Sequence, residues 1–107
     1  MTRLCDAEAV QPGRATLVWL SQTSSVILLR QTDGAIIGYR NACPHMGIEL
    51  DWEPARLLTR DARFLRCTGH HALFELETGV CTQGPCEGDR LTRVPLRVEE
   101  GGVWMEG

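Results

Sequence analysis

The sequence predicts an all-β fold, and three features of its pattern carry that prediction. Apolar runs rich in Val, Ile, Leu and Trp are short, and turn residues separate them at close intervals. Asp33-Gly34 stands between two such runs and is a strong β-hairpin signal. Glu100-Gly101-Gly102 separates the last two runs in the same way. This pattern is typical of a small β-sandwich or barrel.

Each predicted strand is an apolar run with turn residues at its ends. Thr23-Ser24 separates the first two strands, and Thr78-Gly79 follows the fifth. The predicted strands are residues 15–20, 25–30, 35–39, 64–66, 72–76, 91–94, 96–99 and 103–106.

Two regions interrupt the strand pattern. Residues 41–63 contain Pro44, Gly47 and Pro54, so they cannot form one strand. Within them, residues 53–58 are predicted to open a short helix, because proline is favoured in the first helical turn. Residues 81–90 contain two glycines and a proline and are predicted to be a loop.

Length and composition indicate one globular domain and exclude several classes of protein. The 107 residues are 43% hydrophobic and 23% charged, which is a globular composition. The net charge is −3, and the basic residues, which are all arginine, form no basic stripe in the sequence. The chain is therefore a poor candidate for binding nucleic acid. No apolar run approaches the length of a membrane span, and the acidic N-terminus has no signal-peptide core. We therefore expect a single cytoplasmic domain, residues 1–107, with neither a membrane nor a nucleic-acid partner.

The three histidines each lie within four residues of a cysteine, in the motifs Cys43-Pro44-His45 and Cys67-Thr68-Gly69-His70-His71. Five cysteines are an odd number in a chain that looks intracellular, which favours metal binding over a disulfide framework. A Cys₂His₂ zinc site would fit the donor count, although zinc motifs usually group like ligands. One cysteine and one histidine in each loop suits a two-iron cluster, with both cysteines on one iron and both histidines on the other.

These motifs resemble those of the Rieske-type [2Fe–2S] ferredoxins. Residues 43–50 resemble the first cluster loop, residues 67–79 the second loop with its strand and turn, and Gly84-Pro85 the proline loop. Residues 33–42 and 89–101 resemble the flanking strands, so the resemblance covers about residues 13–106. It implies a Rieske-like fold of small antiparallel sheets. The two ligand loops and the proline loop would form a cluster-binding subdomain, about residues 42–86.

The resemblance also implies one [2Fe–2S] cluster per chain, with four ligands. They are Cys43, His45, Cys67 and His70. His71 competes with His70, but the register with the first loop favours His70. His71 stands where the family usually has glycine, and the spacer 51–63 is longer than is common in small Rieske ferredoxins.

Four positions that differ from those of high-potential relatives bear on the reduction potential. The inter-loop disulfide of high-potential relatives would join positions 48 and 69, and neither Ile48 nor Gly69 can form it. The hydroxyl residues that bond the cluster sulfurs in those relatives correspond to Ala72 and Phe74. The resemblance therefore implies a low potential, about −150 mV rather than about +300 mV. The remaining cysteines are predicted to be packing residues: Cys5, Cys81 and Cys86.

The resemblance implies a one-electron carrier that is not itself an enzyme. It would act as a monomeric component of a dioxygenase system. It would take electrons from a flavin-containing ferredoxin reductase and pass them to a terminal, ring-hydroxylating-type oxygenase through transient contacts. Two alternatives remain: the small subunit of an assimilatory nitrite reductase and a zinc-stabilised interaction domain. Acidic residues near the cluster loops are a candidate surface for steering partners: Glu75, Glu77, Glu87 and Asp89.

Overall fold

Three small antiparallel sheets make up the fold of the computed structural model. The structure describes residues 2–42, 50, 54–61, 63–67, 72–84 and 87–106. The strands are β1 (Thr2–Asp6), β2 (Thr16–Trp19), β3 (Ser25–Arg30), β4 (Ile36–Arg40), β5 (Phe64–Cys67), β6 (Ala72–Glu75), β7 (Cys81–Gln83), β8 (Arg93–Val94), β9 (Leu96–Glu99) and β10 (Gly102–Met105). Within the described ranges the strand orders of the sheets are β2-β3-β4-β8, β1-β10-β9 and β5-β6-β7. The prediction of an all-β fold is confirmed.

Strand β3 lies between two apolar cores, which explains its unbroken aliphatic run. Successive side chains of a strand point to opposite faces of the sheet. Ile27 and Leu29 accordingly join one core, whereas Val26 and Leu28 join the other. The sheet that contains β3 is therefore buried on both faces at this strand, and we call it the central sheet.

The sheet β5-β6-β7 packs onto the first of these cores through alternate residues. Leu65 and Cys67 of β5 and Phe74 of β6 are fully buried in the same core as Ile27. The short helix α1, Pro54–Leu57, contributes the buried side chain of Leu57 to that core and leads into a bridge between Leu58 and Leu65.

None of the helical turns in the described residues has the length and apolar character that crossing a membrane requires.

The structure corrects the sequence prediction at two strands. Residues 81–90 are not all loop, because Cys81–Gln83 form β7 beside β6. The amide of Cys81 also donates to the carbonyl oxygen of Asp89 at 2.7 Å, and the amide of Gly88 donates to the carbonyl oxygen of Cys81 at 3.0 Å. The sequence does not predict β1, because polar and apolar residues do not alternate along it. It forms by pairing with β10, which is distant in sequence. The helix predicted within 53–58 is confirmed at Pro54–Leu57.

Candidate metal centre

Cys67 is the one predicted ligand within the described residues. It ends β5, is fully buried, and faces Ala72 across the β5–β6 pair. It belongs to the same apolar core as Leu65, Phe74 and Ala72. Apolar burial disfavours a thiolate unless positive charge lies close. A bound iron ion would supply that charge, so the position of Cys67 is compatible with an iron ligand, although Cys81 is buried in the same core.

The other predicted ligands, Cys43, His45 and His70, lie outside the described residues, as do His71 and Cys86. What the structure describes is the ends of the loops that carry them. The first ligand loop leaves β4 through Asn41 and returns at Leu50, and the second runs from Cys67 to Ala72.

Asn41 joins the two ends of the first ligand loop. Its side-chain oxygen Oδ1 accepts a hydrogen bond of 2.8 Å from the backbone amide of Leu50. Its Nδ2 donates to the hydroxyl oxygen of Ser25 at 3.0 Å, and its backbone amide donates to the carbonyl oxygen of Ser25 at 3.0 Å. The start and the return of the loop are thus held to each other and to β3.

Gly84 brings the start of the proline loop against the second ligand loop. Its φ is +113°, and an added Cβ would lie only 2.8 Å from the Cα of Ala72. A side chain is excluded by this contact and by the backbone conformation. Since Leu50, Cys67 and Ala72 share one core, the described ends of both ligand loops and of the proline loop converge there. This convergence fits a group bound between the loops.

Tyr39 connects the central sheet to the turn that follows β6. Its hydroxyl donates to the carbonyl oxygen of Leu76 at 2.6 Å. The guanidinium of Arg93 lies over its ring, 5.7 Å from the centroid, and donates to the carbonyl oxygen of Glu77 at 2.9 Å. Burial raises the pKa of the Tyr39 phenol, and nearby Arg93 opposes that shift only in part.

The sequence pattern does not reveal that Asn41 joins the ends of the first ligand loop or that Tyr39 anchors the turn after β6. Their spacing places the two residues on one face near the end of a predicted strand, but it does not indicate which partners they contact. Both also carry polar atoms that need partners when buried.

The predicted packing cysteines follow expectation where they are described. Cys81 is buried, and its thiol donates to the carbonyl oxygen of Gln83 at 3.3 Å. Cys5 is half-buried against the second core, and burial raises the pKa of its thiol. The four acidic residues proposed to steer partners are all exposed: Glu75, Glu77, Glu87 and Asp89.

Comparisons with known proteins agree with this geometry. The family model of the Rieske [2Fe–2S] domain matches residues 1–97. Oxidoreductase NdmD of Pseudomonas putida is 30% identical over 82 residues, which are 70% of this chain and 13% of that protein. The chain therefore spans only a small part of the length of this curated relative.

Two solved structures have the same fold. The ferredoxin of Sphingomonas yanoikuyae B1 matches with a TM-score of 0.75 at 23% identity, over 98% of this chain and 96% of that chain. A chain in the complex of reduced oxygenase and oxidized ferredoxin of carbazole 1,9a-dioxygenase matches with a TM-score of 0.73 at 24% identity. That match covers 96% of this chain and 89% of the other. The Rieske-like fold expected from the sequence is confirmed.

Proposed function

Because the chain belongs to the Rieske [2Fe–2S] domain family, whose members bind a [2Fe–2S] cluster, we propose that it is a low-potential one-electron carrier. The cluster would be held by Cys43 and Cys67 on one iron and by His45 and His70 on the other. The cluster supplies one-electron redox chemistry. Neutral imidazoles leave less negative charge on it than four thiolates would, so its potential lies above that of a four-cysteine cluster.

One observation carries this proposal: the convergence of the loop ends in a single apolar core. The buried Cys67 ends β5 there, and Leu50 and Ala72, at the ends of the two ligand loops, pack in the same core. This placement supports a cluster between the loops and supports a cluster-binding subdomain of about residues 42–86. We also propose that residues 1–107 act as one domain.

The partners of the carrier follow from the family and from its relatives. One matched structure is a complex of an oxygenase with a ferredoxin, and NdmD is named an oxidoreductase. By analogy, this chain would accept electrons from a flavin-containing reductase and pass them to a terminal, ring-hydroxylating-type oxygenase. It would act in the cytoplasm as a monomer with transient contacts, because a shuttle must leave each partner readily.

Metal and sulfide analysis of the purified protein tests the cofactor and its ligands. We expect two irons and two acid-labile sulfides per chain and a red-brown colour, as a [2Fe–2S] centre requires. Cys67→Ser should lose them, whereas Cys5→Ser, at a half-buried cysteine of the other core, should keep them. A colourless protein with one zinc and no sulfide would instead establish the zinc-stabilised interaction domain.

Electron transfer with purified partners tests the carrier role. We expect the reduced protein to be reoxidised by a terminal oxygenase and the oxidised protein to be reduced by a flavoprotein reductase. If the exposed acidic residues steer docking, the rate should fall with added salt, which screens charges over about 10 Å at 0.1 M. A rate that is independent of salt would remove the steering hypothesis alone. Stoichiometric co-purification with a sirohaem reductase would favour the nitrite reductase alternative.

A further inference from the structure

The neck of the first ligand loop, formed by Ser25, Asn41 and Leu50, holds the only buried hydroxyl, amide or charged side chains of the described residues apart from the phenol of Tyr39. Ser25 is 3% exposed and Asn41 is 5% exposed. A buried polar side chain is costly unless its hydrogen bonds are made. At the neck they are made, by both ends of the Asn41 amide.

The direction of the Asn41 amide follows from its partners. The backbone amide of Leu50 can only donate, so it must face the side-chain oxygen Oδ1. The Nδ2 group then faces the hydroxyl oxygen of Ser25, which accepts. A carbonyl oxygen and an amide nitrogen are thus both used, which neither an alanine nor a serine at position 41 could reproduce.

The neck closes a loop of eight residues, 42–49, which contains two of the proposed ligands. Fixing both ends restricts the conformations open to the segment between them. Leu50 is itself anchored, since its side chain is 1% exposed in the core that also holds Cys67. The neck therefore sets where the first ligand loop leaves and re-enters the core that supports the second.

We propose that Asn41 is a positioning residue for the cluster: through the neck, its amide fixes the loop of Cys43 and His45 relative to the loop of Cys67 and His70. Asn41 does not need to touch the cluster for this. The proposal depends on the ligand set given above and does not depend on the identity of any redox partner.

The test compares three variants of the full chain after loading with iron and sulfide. Asn41→Ala removes the two hydrogen bonds described above, to Ser25 and to Leu50, and Ser25→Ala removes only the bond between Nδ2 of Asn41 and the Ser25 hydroxyl. Val103→Ala is the matched control, because Val103 is fully buried in the other core and loses packing alone. For each, we would measure the EPR spectrum of the reduced cluster, the rate of bleaching by an iron chelator, and the free energy of unfolding.

We expect Asn41→Ala to shift the EPR g values and to bleach faster by about tenfold, the lower end of the loss in metal affinity caused by mutating partners of metal ligands. Ser25→Ala should shift the spectrum in the same direction by less. Val103→Ala should lower the stability, because it leaves a cavity, yet keep the parent spectrum and bleach at the parent rate.

An unchanged spectrum in Asn41→Ala, or the same spectral shift in Val103→Ala, would overturn the proposal. If Asn41→Ala does not fold, Ser25→Ala decides in its place: a shifted spectrum supports the role of the neck, and a parent spectrum refutes it. Absence of iron and sulfide from the parent protein would instead show that the ligand set is wrong.

Discussion

The hydroxyl of Tyr39 donates a 2.6 Å hydrogen bond to the carbonyl oxygen of Leu76, across 37 positions of the chain. Tyr39 belongs to β4 and Leu76 to the turn after β6, so the bond ties the central sheet to the sheet that contains Cys67. Asn41, two residues further on, holds the first ligand loop. The end of β4 thus holds the first ligand loop through Asn41 and the far end of β6 through Tyr39.

Tyr39→Phe should lower the free energy of unfolding by about 1–2 kcal/mol, because it removes the donor to a part-buried carbonyl. Denaturant titration followed by fluorescence measures this loss. Thr82→Val is the matched control, since it deletes a hydroxyl hydrogen bond at an exposed position and should change stability by less than about 0.5 kcal/mol. Equal losses in the two variants would contradict the special role of the Tyr39 bond.

Alkaline titration should show the raised pKa of Tyr39. It is the single tyrosine of the chain, so the change in absorbance near 295 nm on ionisation reports this phenol. Burial raises its pKa above the ordinary value of about 10. The folded state then binds the proton more tightly than the unfolded state does. Stability should be unaffected by this group below about pH 10 and should decrease as the pH rises through the folded-state pKa. A midpoint at or below the ordinary value would contradict the expectation.

Gly79→Ala should destabilise the protein more than Gly88→Ala. Both glycines have positive φ, +73° and +94°, which costs about 1–2 kcal/mol for alanine. A Cβ at Gly79 would also lie 2.7 Å from Cε1 of Tyr39, whereas a Cβ at Gly88 meets nothing within 4 Å. The clash should add about 1–3 kcal/mol. Comparable unfolding free energies for the two variants would show that the Tyr39 ring moves aside at little cost.

Ala72→Ser combined with Phe74→Tyr should raise the reduction potential, because each hydroxyl offers a hydrogen bond that stabilises the more negative reduced cluster. Both residues are fully buried on the core face of β6, and Ala72 lies opposite Cys67. Leu73→Thr, on the other face of the same strand, is the control and should leave the potential unchanged. Voltammetry measures all three proteins. A parent value well above zero would refute the low-potential prediction, and no rise in the double variant would exclude the missing hydroxyls as its cause.

Substitution of the histidines should separate ligand from neighbour. His45→Ala and His70→Ala should each abolish the EPR signal of the reduced Rieske cluster, because an iron loses an imidazole. His71→Ala should retain the signal. If His71→Ala loses the cluster and His70→Ala keeps it, the assignment of the second histidine ligand is reversed.

Strands were predictable where apolar pattern and local turns agree. The bounds predicted for β3 and β9 match the structure, since each is a short run set between turns. Strand β1 has no such pattern and depends on pairing with β10, a contact that local sequence cannot reveal. Strand β7 has only three residues before Gly84, so the glycines and the proline of residues 81–90 led to the prediction of a loop there.

At the candidate site, too, local features could be predicted from the sequence and long-range contacts could not. The ligand motifs could be predicted because a cysteine and a histidine at short spacing carry their chemistry in the local sequence. The contacts of Asn41 could not, since they depend on Ser25, sixteen positions earlier, and on the backbone at Leu50. An asparagine before a loop has many ordinary uses, and only the assembled neck distinguishes this one.

The pairing of β1 with β10 has a consequence for how the chain folds as it is synthesised. Thr2 lies opposite Met105, so this sheet cannot close until almost all described residues have left the ribosome. The hairpins β5-β6 and β6-β7 join strands that are close in sequence and should form earlier, because contacts of low sequence separation form fastest. We therefore expect the sheet that carries Cys67 to form before β1 pairs with β10.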